Sequence, residues 1–203
     1  RESLRKGSIM KIRALFIVLA LAVFPVAAQE EAVSPERAQQ IRERYEQVLT
    51  RTPMQDSAFD RVYASYLEAE GVDAWVAKLR PSEGEPTKEN WVLLGRIEER
   101  QFKTDEAIVS LEKAKSLGMA DPQLDLLLGR LYYEDGQDDK AAILLAAALE
   151  QPIDPESRSS VVRILGSLYM RQGKRDEAIA AWKRLAEDNP GDTFAQTELA
   201  EIY

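Results

Sequence analysis

Gly95 and Gly129 stand 34 residues apart, and so do Ala107 and Ala141, Leu111 and Leu145, and Ala114 and Ala148. Four pairs in one register constrain this chain more than any other feature. A unit of that length cannot bury an apolar face by itself and must stack on copies of itself. A third copy follows at an offset of 37, from Tyr132 to Tyr169, Gly136 to Gly173 and Ala141 to Ala178. Its three additional residues fall in Gln151–Glu156, which reads as a loop because it holds Pro152 and Pro155. A fourth copy opens after Gly191 and restores the spacing of 34, from Leu165 to Leu199 and Tyr169 to Tyr203.

Each copy reads as two amphipathic helices. Gly at the centre of the first and Ala early in the second let two backbones approach, while Trp91, Tyr132, Tyr169 and Trp182 fill the gaps between copies. A coiled coil is rejected, because regular Gly95, Gly129 and Gly166 do not suit heptads. The pattern resembles the tetratricopeptide repeat. It is carried by Trp91, Leu94, Gly95, Ala107, Leu111 and Ala114 in the first copy, and by Leu128, Gly129, Tyr132, Gly136, Ala141, Leu145 and Ala148 in the second. Val162, Leu165, Gly166, Tyr169, Gly173, Ala178, Trp182 and Pro190 carry it in the third. Glu98 stands where Tyr is usual, Phe102 where Gly is usual, and Asp125 where a large apolar residue is usual. The resemblance implies an all-α fold, a right-handed α-solenoid of helix-turn-helix units. Residues 87–203 would hold three full repeats and the first half-helix of a fourth.

A degenerate helical segment, 29–86, precedes the array. Ser34-Pro35 opens a helix to about Thr50. A second runs from about Asp56 toward Gly71, a third from Val72 to Leu79, and Pro81–Pro86 is a loop. In outline this segment resembles the N-terminal part of large secreted repeat proteins of bacteria.

Residues 1–28 are different in kind. After the upstream residues 1–9, Met10 leads into Lys11-Ile12-Arg13, an apolar run from Ala14 to Phe24, Pro25, and then Val26-Ala27-Ala28. This is the layout of a secretory signal peptide cut after Ala28, and its 11-residue apolar run is short for a bilayer-spanning anchor. The expected location is outside the cytoplasm, in the periplasm or the medium. Beyond residue 28 the chain holds 22 basic and 34 acidic residues, net −12, which repels nucleic acid. The chain stops at Tyr203 midway through a helix. That leaves an open half-repeat for self-association, or makes the chain the N-terminal arm of a larger exported protein.

The chain has no Cys and no His, so disulfides, common zinc sites and His-dependent triads are excluded. No phosphate loop or serine elbow is present, and no cofactor, metal or enzymatic activity is expected. Carboxylate pairs such as Glu98-Glu99 and Asp138-Asp139 read as solvated faces in so acidic a chain. The repeat resemblance implies that the first helix of each unit lines a concave groove. Helical spacing then turns Arg96, Arg100, Arg130, Arg163 and Arg171 toward it, together with Tyr133 and Met170. Such a groove would hold proteins or peptides, acidic ones through bidentate arginine contacts, beside Glu89, Glu99 and Glu134 on the same face. The Asn residues of chaperone-tail clamps are missing from it.

Overall fold

The computed structural model describes residues 34–191 and 193–202. The signal-peptide reading, with its start at Met10 and cut after Ala28, lies outside them. The described residues form ten helices: α1 Pro35–Leu49, α2 Asp56–Glu68, α3 Val72–Leu79, α4 Lys88–Arg100, α5 Thr104–Ser116, α6 Pro122–Glu134, α7 Asp138–Leu149, α8 Pro155–Arg171, α9 Arg175–Asp188 and α10 Thr193–Ile202. Among them there is no strand. The architecture is an α-solenoid whose paired helices are α4–α5, α6–α7 and α8–α9, with α10 packed on α9.

The first helix of each pair starts at a side-chain cap. Thr87 Oγ1 accepts from Asn90 N at 3.2 Å, Asp121 Oδ1 from Gln123 N at 2.8 Å, and Asp154 Oδ1 from Ser157 N at 2.8 Å. Pro122 and Pro155 follow two of these caps at the first helical position, where a missing N–H costs nothing. The helix α8 corrects one expectation. The interhelical loops before α6 and α8 are equally long, so the loop 150–154 itself holds no inserted residues. Instead α8 has 17 residues against 13 in α6, and α7 is one shorter than α5, at 12 against 13. The insertion is an added helical turn at the start of α8, and Pro155 begins that turn rather than breaking it.

The turn inside each pair is the same hydrogen-bonded reversal. Lys103 N donates to Glu98 O at 2.9 Å, Gln137 N to Tyr132 O at 2.8 Å, and Lys174 N to Tyr169 O at 2.8 Å. This closure requires a left-handed residue just past the helix. Gly136 and Gly173 supply it at φ 76° and 74°, and Phe102 supplies it at φ 60°. For a side chain with a Cβ that conformation is about 1–2 kcal/mol less favourable. Phe102 therefore keeps the turn of the first repeat against its own preference.

Close approach within the pairs depends on glycine. A Cβ on Gly95 would lie 2.6 Å from Leu111 Cγ, and one on Gly129 2.8 Å from Leu145 Cγ. On Gly166 it would overlap the indole of Trp182. The buried residues Leu94, Ala107, Leu128, Tyr132, Ala141, Leu165, Ala178 and Trp182 fill the interiors and joints as the spacing requires. Trp91 packs against both the N-terminal and the central cluster, and Tyr169 against both the central and the C-terminal one, so the core is continuous along the array. Asp125, where an apolar residue is usual, pairs with Lys115 across the α5–α6 joint. Pro190 is exposed, and its carbonyl accepts from Gln196 Nε2 at 2.8 Å.

Residues 34–80 join the same stack. Tyr66 of α2 donates to Glu46 of α1 at 2.7 Å, and Tyr132 of α6 donates to Glu112 of α5. In both cases the acceptor lies 20 residues earlier, so α2 stands on α1 as α6 stands on α5. Here the interior is aromatic instead of small, with Trp75 stacked 5.6 Å from Tyr66 and tilted against Phe59 at 5.4 Å.

Replacing Gly166 with Ala raises helix propensity yet forces the rigid Trp182 ring to move. The Gly166→Ala chain is expected to be less stable by about 1–3 kcal/mol, read by denaturant unfolding followed through tryptophan fluorescence.

Candidate functional site

The helices α2, α4, α6 and α8 line one open groove with a cavity of about 840 Å³. The apolar side chains Met54, Phe59, Leu126, Leu127, Val161 and Ile164 contribute to its wall. Arg96, Arg100 and Arg130 also line it. Tyr133, Met170, Arg163 and Arg171 do not.

Arg96 is 6% exposed and is structural in its contacts. Its guanidinium donates to the Pro53 carbonyl at 2.7 Å, pairs with Asp56, and lies 4.0 Å over the Phe59 ring. Burial lowers its proton affinity, and the charges of Asp56 and Asp60 oppose that shift. The residue thus fastens α4 to the α1–α2 turn. Arg100 pairs with Asp60 at 2.5 Å and lies over the rings of Phe59 and Tyr63 at 5.6 and 5.4 Å. Arg130 pairs with Glu99 at 2.7 Å and reaches Glu134 at 3.8 Å. Arg171 pairs with Asp138 at 2.6 Å and covers Tyr133 at 4.4 Å. Arg163 lies 5.7 Å from the Phe194 ring and lines a second cavity of about 650 Å³ beside α9. Met170 is exposed and carries no charge. The seven residues expected in one groove therefore divide among three places along the array.

Arg96, Arg100, Arg130 and Arg171 each face a carboxylate of this chain, and three of those pairs join one lining helix to the preceding one. Exposed pairs of this kind contribute little each, on the order of 0–1 kcal/mol.

Sequence reasoning missed several lining residues. Asp56, Phe59 and Asp60 come from α2, in the degenerate helical segment that precedes the array. Phe102 sits at the turn, and Asp154 and Glu156 sit on the added turn of α8. Hydrogen bonds from Ser157 hold the Asp154 carboxyl below the usual range, so it is ionised at neutral pH. The signal for α2 was present in its Phe59, Val62 and Tyr66 spacing.

A third cavity, of about 500 Å³, lies where Glu98 replaces the expected Tyr. Arg80, Pro86, Trp91 and Val109 surround it. Glu98 is 9% exposed, accepts from Ser110 Oγ at 2.5 Å, and meets Arg80 at 3.2 Å. Burial pushes its carboxyl up, against the opposing pull of Ser110 and Arg80. The Trp91 and Trp182 indole N–H groups are buried without an acceptor.

Two tetratricopeptide-repeat family models match the chain, over residues 124–159 and 159–202. Similar solved structures share its fold at low identity. YrrB, described as a TPR protein with an unusual peptide-binding site, is 17% identical, with 80% of this chain and 84% of that one covered and a TM-score of 0.56. MamA of AMB-1 is 18% identical over 84% of this chain and 82% of its own, also with a TM-score of 0.56. PilF of Pseudomonas aeruginosa is 17% identical over 81% of this chain and 68% of its own, with a TM-score of 0.53. No curated protein matches the sequence.

Two outcomes follow from the geometry. Arg96→Ala strands the Pro53 carbonyl and uncovers Phe59, and it is expected to cost about 2 kcal/mol or more. Arg130→Ala removes only exposed pairs and should change stability by no more than about 0.5 kcal/mol, both read by thermal unfolding. For Glu98 the raised folded pKa means the folded chain keeps a proton that the unfolded chain releases near pH ~4.3. Stability is therefore lost as pH rises from there through the folded value. Against Glu98→Gln, the unsubstituted chain should lose ground across that window and hold a constant difference above it.

Proposed function

We propose that this chain, which belongs to the tetratricopeptide-repeat family, is an exported scaffold that holds a segment of another protein in the groove lined by α2, α4, α6 and α8. The observation that carries the reading is the groove itself. It is open, spans four alternate helices, and presents apolar side chains between ordered charges, which suits an extended segment rather than a small molecule. YrrB, of the same fold, is described as having a peptide-binding site. Export rests on the signal-peptide layout of Met10–Ala28. An acidic segment, expected from the arginines alone, would have to take Arg100 or Arg130 from Asp60 or Glu99. The pairing favours a segment that leaves those contacts intact.

The test produces the chain from Met10 in a Gram-negative host, with a photo-crosslinking residue at position 123 in the groove or at position 143 on an exposed outer position. Periplasmic protein starting at Gln29, and adducts formed from 123 but abolished by Ser160→Trp, are the expected results. Cytoplasmic protein that keeps Met10–Ala28 would end the export reading. Adducts that form equally from 143, or ignore the Trp in the groove, would end the groove reading.

A further inference from the structure

Phe102 violates two preferences at once. It holds φ 60° where the equivalent turns use Gly136 and Gly173, and it is 94% exposed, so no burial within the chain offsets the strain. Strained backbone persists where the surroundings gain from it, and binding surfaces are a common place. Phe102 lines the groove in company with Leu126 and Leu127 of the next lining helix. A large exposed aromatic beside half-buried leucines has the composition of a binding hot spot.

The charge on the groove wall is equally specific. Its arginines are Arg96, Arg100 and Arg130, and each faces one of Asp56, Asp60 and Glu99. Asp154 and Glu156 remain, both exposed, on the added turn of α8, and among the described residues no basic side chain pairs with either. With five carboxylates against three arginines, the wall is net −2.

We infer that the groove selects a basic, apolar segment. An apolar side chain of the partner packs on Phe102 and the leucines, and a Lys or Arg of the partner meets Asp154 and Glu156. This rests on the groove reading and narrows it to one class of ligand. The tethered pairs at Arg100 and Arg130 discriminate against acidic segments, because those would leave a desolvated charge unmatched.

The probe is a phage-displayed random dodecapeptide library selected on the purified mature chain, with the enriched peptides measured by fluorescence polarisation. Enriched peptides should carry an apolar residue and at least one Lys or Arg. Phe102→Gly should weaken them tenfold or more while raising the thermal midpoint by about 2–4 °C, since glycine relieves the turn. Asp154→Asn with Glu156→Gln, which keeps the helix cap, should weaken them about fivefold and flatten their salt dependence. Peptides that Ser160→Trp blocks but that are acidic, or that Phe102→Gly leaves untouched, overturn this inference and leave the groove reading standing. A lower midpoint in Phe102→Gly also overturns it, by giving the ring an internal role. No enrichment, or peptides indifferent to Ser160→Trp, overturns both.

Discussion

The packing of this protein depends on how closely two helix backbones can pass. At Gly95, Gly129 and Gly166 the second helix of each pair lies so near the first that a single methyl group would collide with Leu111, Leu145 or Trp182. Everything else is set by that approach. It fixes the tilt of each pair, which fixes where the next pair can stack, which places α4, α6 and α8 side by side along one surface. A groove then exists whether or not any residue in it was selected to bind.

What fills the joints follows from the same geometry. Tyr132 spans from its own helix to Glu112 of the preceding one, and Tyr66 repeats the arrangement with Glu46. Where Glu98 replaces the ring, the joint is left with a cavity, a buried carboxyl and an unpaired indole N–H at Trp91. The first repeat is also the one whose turn carries Phe102.

The repeat itself was legible because it depends on residue size at fixed spacing. Gly95, Ala107 and their successors mark backbone contacts, and size is a property that a sequence displays directly. The helix start at Pro35 and the helix end at Leu79 were readable for a similar reason, since caps and prolines act locally. Two things were not. Pro155 has the same local signature whether it ends a loop or begins a helix, and only the packing of α8 against α9 decides. The arginines were assigned to the correct helices, and Arg96, Arg100 and Arg130 do line one cavity. Their partners could not be read, because Asp56 and Asp60 lie 40 residues upstream in a segment whose repeat signature is degenerate. Nothing in a spacing rule indicates that Arg96 is buried.

The arginine pairs have a mechanical consequence. They link α2 to α4 and α4 to α6 along the groove-lining side of the stack. A stack tied along one edge behaves as a spring with a set bend: shortening or releasing the ties changes its curvature while the hinges between units keep their shape. Under the proposed function, an occupant that competed for Glu99 or Asp60 would slacken that edge, and one that left them alone would find it taut. The stiffness of the array would then depend on what it carries, and ionic strength would tune it from outside.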